Sequence, residues 1–250
     1  MSQLELPMAL TNNLAKLIAL LFFSSTATSS PLIKRQTSAY APVQHSCPST
    51  PLVRPATGIS SSEHEYFFAR KIAASVALEL WLLKINPGFV TVQWPSVGLA
   101  TSGGGLRSTF EGAGVIQAFD ARDSNTGISG LYQALTYHSG LSGGSLLLSS
   151  VAASNWATIS SIKTSLWDST FAEPLTSAIE DAIFADLTAK QASGFTPTLA
   201  DAFGRILSWD LFSGSDGGVA TTLSGLALKS GFLARLVPYP IITAIQVSSF

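Results

Sequence analysis

A chain of 250 residues has room for one large domain or two small ones. Its apolar share of 46% can fill a sizeable core, but its charged share of 12% is about half the roughly 25% usual in soluble domains, so Ser, Thr, Gly, Gln and Asn must carry the surface polarity. A net charge of -1, with no run of like charges, argues against a nucleic-acid binder, which normally carries a basic patch.

Lys16 precedes the apolar run Leu17 to Phe23, and a stretch of small residues, Ser24 to Ser30, follows it. These are the parts of a secretory signal, and the run is far below the roughly 20 residues needed to span a bilayer. Residues 1–30 therefore read as a signal peptide, and 31–39, with the dibasic pair Lys34-Arg35, as a propeptide candidate. The expected location is outside the cell or at its surface. The single cysteine, Cys47, implies a partner elsewhere or an intermolecular bridge. The sequence holds no Asn-x-Ser/Thr acceptor for N-glycosylation.

Residues 24 to 60, rich in Ser, Thr and Pro, read as an extended leader. Ser61-Ser62-Glu63 then opens a helical pattern. Tyr66, Phe67, Ile72, Val76, Leu78, Leu80, Trp81 and Leu82 keep one side apolar to about residue 84, and Pro87-Gly88 ends it. A short strand, 96 to 101, runs into Gly103 to Gly105, and a helix is expected from Arg107 to Asp120. A second strand, 135 to 139, runs into Gly140-Leu141-Ser142-Gly143-Gly144, with a helical segment from Leu146 to Ala153. Two strand–turn–helix units favour an α/β core with parallel strands. From Trp167 to Leu236 the pattern is mainly helical, with loops at 194–197 and 214–218.

Two turns carry chemistry. The G-x-S-x-G match around Ser142 suits a nucleophile on a strained strand-to-helix turn, with small neighbours and a helix dipole near the hydroxyl. The bland alternative is a Ser/Gly-rich loop. The run Ser102-Gly103-Gly104-Gly105-Leu106-Arg107 lets several backbone N–H groups point at one spot, as for an oxyanion or phosphate. No Lys-Ser or Lys-Thr follows it, as a P-loop would require, and Ser108 stands where a dinucleotide fingerprint needs its third glycine. Arg107 lies near the same spot; its plain alternative is a surface ion pair.

The base is less direct. An α/β-hydrolase triad runs Ser, acid, His, but the three histidines, His45, His64 and His138, all precede Ser142. His138 is expected to pack or pair locally. A Ser–Asp dyad is the natural alternative.

Several blocks in order resemble a family: SGGGLR at 102–107, EGAGVIQAFDAR at 111–122, GLYQALTYHSGLSGGS at 130–145, YAPVQHSCPSTPLVRPATG at 40–58, WDSTFAEP at 167–174, DAFGRILSWDLF at 201–212 and VPYPIITA at 237–244. The chain is similar to fungal lysophospholipases (phospholipase B), which are related to the catalytic domain of cytosolic phospholipase A2. The resemblance implies an α/β layered core with a central mixed sheet. Residues 40–250 would form its N-terminal part, incomplete at the C-terminus. It implies hydrolysis of acyl esters in phospholipids and lysophospholipids at a membrane or micelle surface, by a Ser–Asp dyad without metal or cofactor. Ser142 matches the nucleophile, Gly104 and Gly105 the oxyanion glycines, and Arg107 the arginine for the substrate phosphate.

The family's catalytic aspartate belongs to a later Asp-Gly-Gly block, so this chain alone is expected to turn over poorly. Asp216-Gly217-Gly218 offers a substitute, which would make a patatin-like lipase with Asp216 as base; a loop turn is the plain reading. A noncatalytic fragment or interaction protein is a further alternative. Leu106 and Ser108 depart from the family's usual aromatic and alanine. Residues 245–250 cease to resemble it, which suggests a truncated gene model.

Overall fold

The computed structural model describes residues 38–243, apart from 44, 50, 52, 56, 173 and 174. The signal-peptide candidate, Lys34-Arg35 and residues 245–250 lie outside the described residues. Two compact units form. The smaller comprises the described parts of Met1–Cys47, Glu173–Asp210 and Gly214–Ala220; the larger comprises those of Pro48–Ala172, Leu211–Ser213 and Thr221–Phe250.

The larger unit is built on three parallel strands in the order β1 (Val97–Thr101), β2 (Leu135–Gly140) and β3 (Tyr239–Ile242). Parallel neighbours need crossovers, and helices supply them. Helix α2 (Gly105–Phe119) follows β1, and α3 (Gly143–Ala153) follows β2. Both begin within a few residues of the sequence expectation, and each strand feeds directly into a glycine-rich turn. The α/β layering expected from the two strand–turn–helix units is present.

Helix α1 (Ser61–Ile85) precedes the sheet. Its N-cap Ser60 accepts a hydrogen bond from the Glu63 N–H at 3.1 Å, which leaves that carboxylate in the first turn, where the helix dipole favours it. Lys84 sits in the last turn, and the Asn86 N–H closes the end on the Leu82 carbonyl before Pro87. The buried face differs from the expected one. Tyr66, Arg70, Ala74 and Leu78 are buried at four-residue spacing, whereas Ile72, Val76 and Leu80 are exposed. The reason is Arg70. Its guanidinium donates to the carbonyls of Leu135 (2.9 Å), Gln133 (2.6 Å), Leu236 (2.9 Å) and Arg235 (3.3 Å), at the starts of β2 and β3. A planar fork with five donors can satisfy four carbonyls at once, so the charge is buried with partners. Burial alone pulls the Arg70 pKa down.

The main core is formed by Ile116, Leu147, Val151, Trp156, Ile162 and Trp167 with their neighbours. Helix α3 is buried on nearly every side, and its hydroxyls therefore need partners. Ser150 donates to the Leu211 carbonyl at 2.6 Å, and Ser145 to the Gly140 carbonyl at 2.6 Å.

In the smaller unit, α4 (Ser177–Ala192) is capped by Thr176, and with α5 (Leu199–Leu211) it encloses a small core of Ile183, Leu187 and Ala202. Arg205 and Asp186 form a buried ion pair at 2.8 Å. Tyr40 donates to Asp201 at 2.6 Å, and Lys190 pairs with the same carboxylate. No described helix is long and apolar enough to cross a membrane.

Candidate active site

Ser142 is the N-cap residue of α3, with φ 51° and ψ -117°. A side chain there is strained, and such outliers persist only where the surroundings dictate them. The surroundings here are backbone. A Cβ on Gly144 would lie 2.2 Å from the Thr101 carbonyl oxygen, and one on Gly143 would lie 2.1 Å from that of Gly105. The Leu141 N–H donates to the Thr101 carbonyl at 3.1 Å, and the Gly144 N–H to the Leu141 carbonyl at 2.9 Å. The elbow is thus gripped between the end of β1 and the start of α2. This accounts physically for the glycines of the motif: any larger residue at 143 or 144 would push the chains apart. The Ser142 side chain is exposed and has no hydrogen-bond partner among the described residues.

The second turn lies against the first. Gly105, at φ 65°, opens α2 in a conformation that costs glycine little. A Cβ on Gly103 would meet the Ser142 Cβ at 3.1 Å and its Oγ at 3.7 Å. The buried Thr109 hydroxyl joins the two turns, donating to the Gly143 carbonyl at 2.9 Å and reaching that of Gly105 at 3.3 Å. Ser108 donates to the Ser102 carbonyl. Gly103 belongs to the glycine run expected from the sequence, whereas no sequence motif marks Thr109. The available signal was position: Thr109 falls four residues after Gly105, on the face of α2 turned toward α3.

Arg107, in the first turn of α2, is exposed and makes no hydrogen bond or ion pair among the described residues. Ser142, Gly104, Gly105 and Arg107 therefore belong to two adjoining turns at the ends of neighbouring strands.

His138 is fully buried on β2, and its Nε2 lies 3.0 Å from the Thr101 Oγ1. Burial pushes its pKa down to about 4. It packs locally, as expected. Asp216 has a local role in the smaller unit. It adopts a left-handed turn (φ 54°, ψ 49°), and Arg205 donates to its carboxylate at 3.2 Å and its carbonyl at 2.9 Å. Among the described residues no group of three or more His, Cys, Asp or Glu side chains is placed to hold a metal ion.

Farther along α2, an apolar cleft of about 260 Å³ is lined by Phe110, Ala113, Gln117, Ile159, Trp167 and Phe171. Lys163 and Asp168 add charge to its wall. The Phe110 ring meets those of Trp167 and Phe171 edge-on, at 6.1 and 5.0 Å between centroids. One wall is a π-helical turn, Lys163–Trp167, of the sort that often marks functional positions. Phe110 is five residues past Gly105, about 7.5 Å along the helix axis.

The chain is similar to known proteins in sequence and in fold. The family model of the lysophospholipase catalytic domain matches residues 97–249. Probable lysophospholipase 5 of Schizosaccharomyces pombe is 38% identical over 237 residues, covering 88% of this chain and 38% of that protein. Lysophospholipase 2 of Aspergillus fumigatus is 32% identical over 251 residues, covering 88% and 43%. The chain thus spans about two fifths of the length of these curated relatives. Among solved structures, human GIVD cytosolic phospholipase A2 superposes with a TM-score of 0.62 at 20% identity, over 78% of this chain and 25% of that one. The same human protein in complex with methyl gamma-linolenyl fluorophosphonate gives 0.60. At that identity the likeness concerns the fold.

Proposed function

Because this chain belongs to the lysophospholipase catalytic-domain family, we propose that it acts on acyl esters of lysophospholipids and phospholipids, with Ser142 as the nucleophile. The observation that carries this reading is the strained Ser142 at the head of α3, set against the Gly103–Gly105 turn. The Ser142 Oγ attacks the ester carbonyl carbon, and its proton passes to a base. The carbonyl oxygen gains the electron pair and is met by the N–H groups of Gly104 and Gly105. The ester C–O bond breaks, the proton goes to the departing alcohol, and water then hydrolyses the acyl-serine.

His138 is tied to Thr101 and held neutral by burial, and the carboxylate of Asp216 is engaged by Arg205. The family resemblance assigns the base to an aspartate, and we place that role on a carboxylate that reaches Ser142 in the active protein, not on these two residues. Arg107, unpaired and exposed, receives the lipid phosphate. The apolar cleft beside Phe110 and Trp167 receives the acyl chain, which connects the site to a membrane or micelle surface. A secreted or cell-surface location fits these substrates and the signal-peptide candidate at residues 1–30. The test is fatty-acid release from lysophosphatidylcholine: a rate that vanishes in Ser142→Ala supports the reading, and a rate indifferent to that change overturns it.

A further inference from the structure

Nucleophile and oxyanion donors serve one carbonyl only if their two turns are held at a fixed separation. The turns lie at the ends of β1 and β2, and Thr101, the last residue of β1, meets the Ser142 elbow and helix α2 at once. Its carbonyl accepts the Leu141 N–H and abuts Gly144. Its Cγ2 lies 2.7 Å from where a Cβ on Gly112 of α2 would be. Its hydroxyl, the one remaining group, meets the His138 Nε2 at 3.0 Å. We propose that His138, acting through the Thr101 hydroxyl, is a positioning residue that holds the Ser142 elbow and the Gly103–Gly105 turn at their working separation. This rests on the hydrolytic reading of Ser142.

The imidazole is suited to this task. It is completely buried, with the Tyr132 ring edge-on at 6.1 Å, so it has no solvent to exchange partners with. Among the described residues its Nδ1 has no hydrogen-bond partner. An unpaired buried acceptor is tolerated better than an unpaired N–H, so the ring hydrogen belongs on Nε2, donating to the Thr101 Oγ1. The low pKa, from burial, keeps the ring neutral at pH 7. If His138 served only to fill the core, an apolar residue of similar size would weaken global stability and leave the elbow intact.

Three variants of the full chain test this: His138→Leu, Thr101→Val, which keeps the shape, and Thr101→Ser, which keeps the hydroxyl. Nitrogen NMR of the parent is expected to show a neutral Nε2–H imidazole at pH 7. Amide exchange at Leu141 is expected to rise about tenfold or more in His138→Leu and Thr101→Val, with little change at Val151 in the core, and to stay near parental in Thr101→Ser. The rate of Ser142 phosphonylation by an alkyl fluorophosphonate should fall roughly 10- to 100-fold in the first two and recover in the third. Exchange that rises equally at Leu141 and Val151, or labelling that falls in Thr101→Ser as far as in Thr101→Val, would overturn the proposal. If no chain is labelled, parent included, the hydrolase reading fails, and the exchange measurement still decides whether the bridge holds the elbow.

Discussion

Gly143 and Gly105 are packed backbone to backbone: a methyl group on Gly143 would sit 2.1 Å from the Gly105 carbonyl oxygen. That approach places the nucleophile turn against the oxyanion turn, and no flexible side chain is there to yield. Gly143→Ala should therefore destabilise the protein by about 1–3 kcal/mol, as overpacking does, and lower the reactivity of Ser142 at least tenfold. Gly204→Ala is the control. A Cβ there meets nothing within 4 Å inside helix α5, so the change should add about 0.5–1 kcal/mol. Urea unfolding of the two variants checks both signs; a harmless Gly143→Ala would mean that the turns are not in register.

Arg70 ties α1 to the starts of β2 and β3. Arg70→Met would leave the buried Leu135 carbonyl and the partly buried Gln133 and Leu236 carbonyls without that donor, at a cost of about 2–3 kcal/mol. Arg70→Lys should recover little, because an ammonium cannot span four acceptors in a fork. Thermal and urea unfolding would show this. Near-parental stability in Arg70→Met would show that the guanidinium only fills space.

Two groups set separate acid windows. His138 has a folded pKa of about 4 against an ordinary 6.5, so between those values the unfolded chain binds more protons and stability falls as pH drops from 6.5 toward 4. Integrated, that is roughly 3 kcal/mol, and it should be missing in His138→Leu. Burial pushes the Asp201 carboxyl up, but hydrogen bonds from Lys190, Tyr40 and Thr198 outweigh this and hold it at about 2. Its contribution is present above the ordinary carboxylate range and is lost as pH falls from about 4 to 2. Asp201→Asn should flatten that lower window alone. Denaturant midpoints followed from pH 7 to 2 in both variants separate the two; identical profiles would refute the assignment.

The cleft beside α2 should take a single acyl chain. A lysophospholipid brominated along its chain should quench Trp167, one of five tryptophans, and the quenching should persist in Ser142→Ala. It should fall in Trp167→Phe and weaken several-fold in Phe110→Ser. Quenching unaffected by Trp167→Phe would place the chain elsewhere.

Much of this was legible in the sequence. Strands β1 and β2 and their two glycine turns are local: an apolar run stopping at Gly103 or Gly140 announces them, and Ser61-Ser62-Glu63 announces the start of α1; β3 has no such mark. The face of α1 was not legible. Ile72, Val76 and Leu80 count as core by periodicity, while a buried arginine contradicts it, and only the distant carbonyls of Leu135 and Leu236 explain why Arg70 lies inside. The partners of Ser142 were legible as types but not as contacts. Gly103, Thr109 and Thr101 meet the elbow because β1 and β2 are neighbours in a parallel sheet, and that pairing of residues about 40 apart leaves no mark in either segment alone.

Whether Ser142 is the reactive serine can be read covalently. The folded chain is treated with an alkyl fluorophosphonate, digested and mapped by mass spectrometry. One adduct is expected, on the peptide containing Ser142, absent in Ser142→Ala and reduced by at least tenfold in Gly143→Ala. An adduct on another serine, or labelling undiminished in Ser142→Ala, would contradict it.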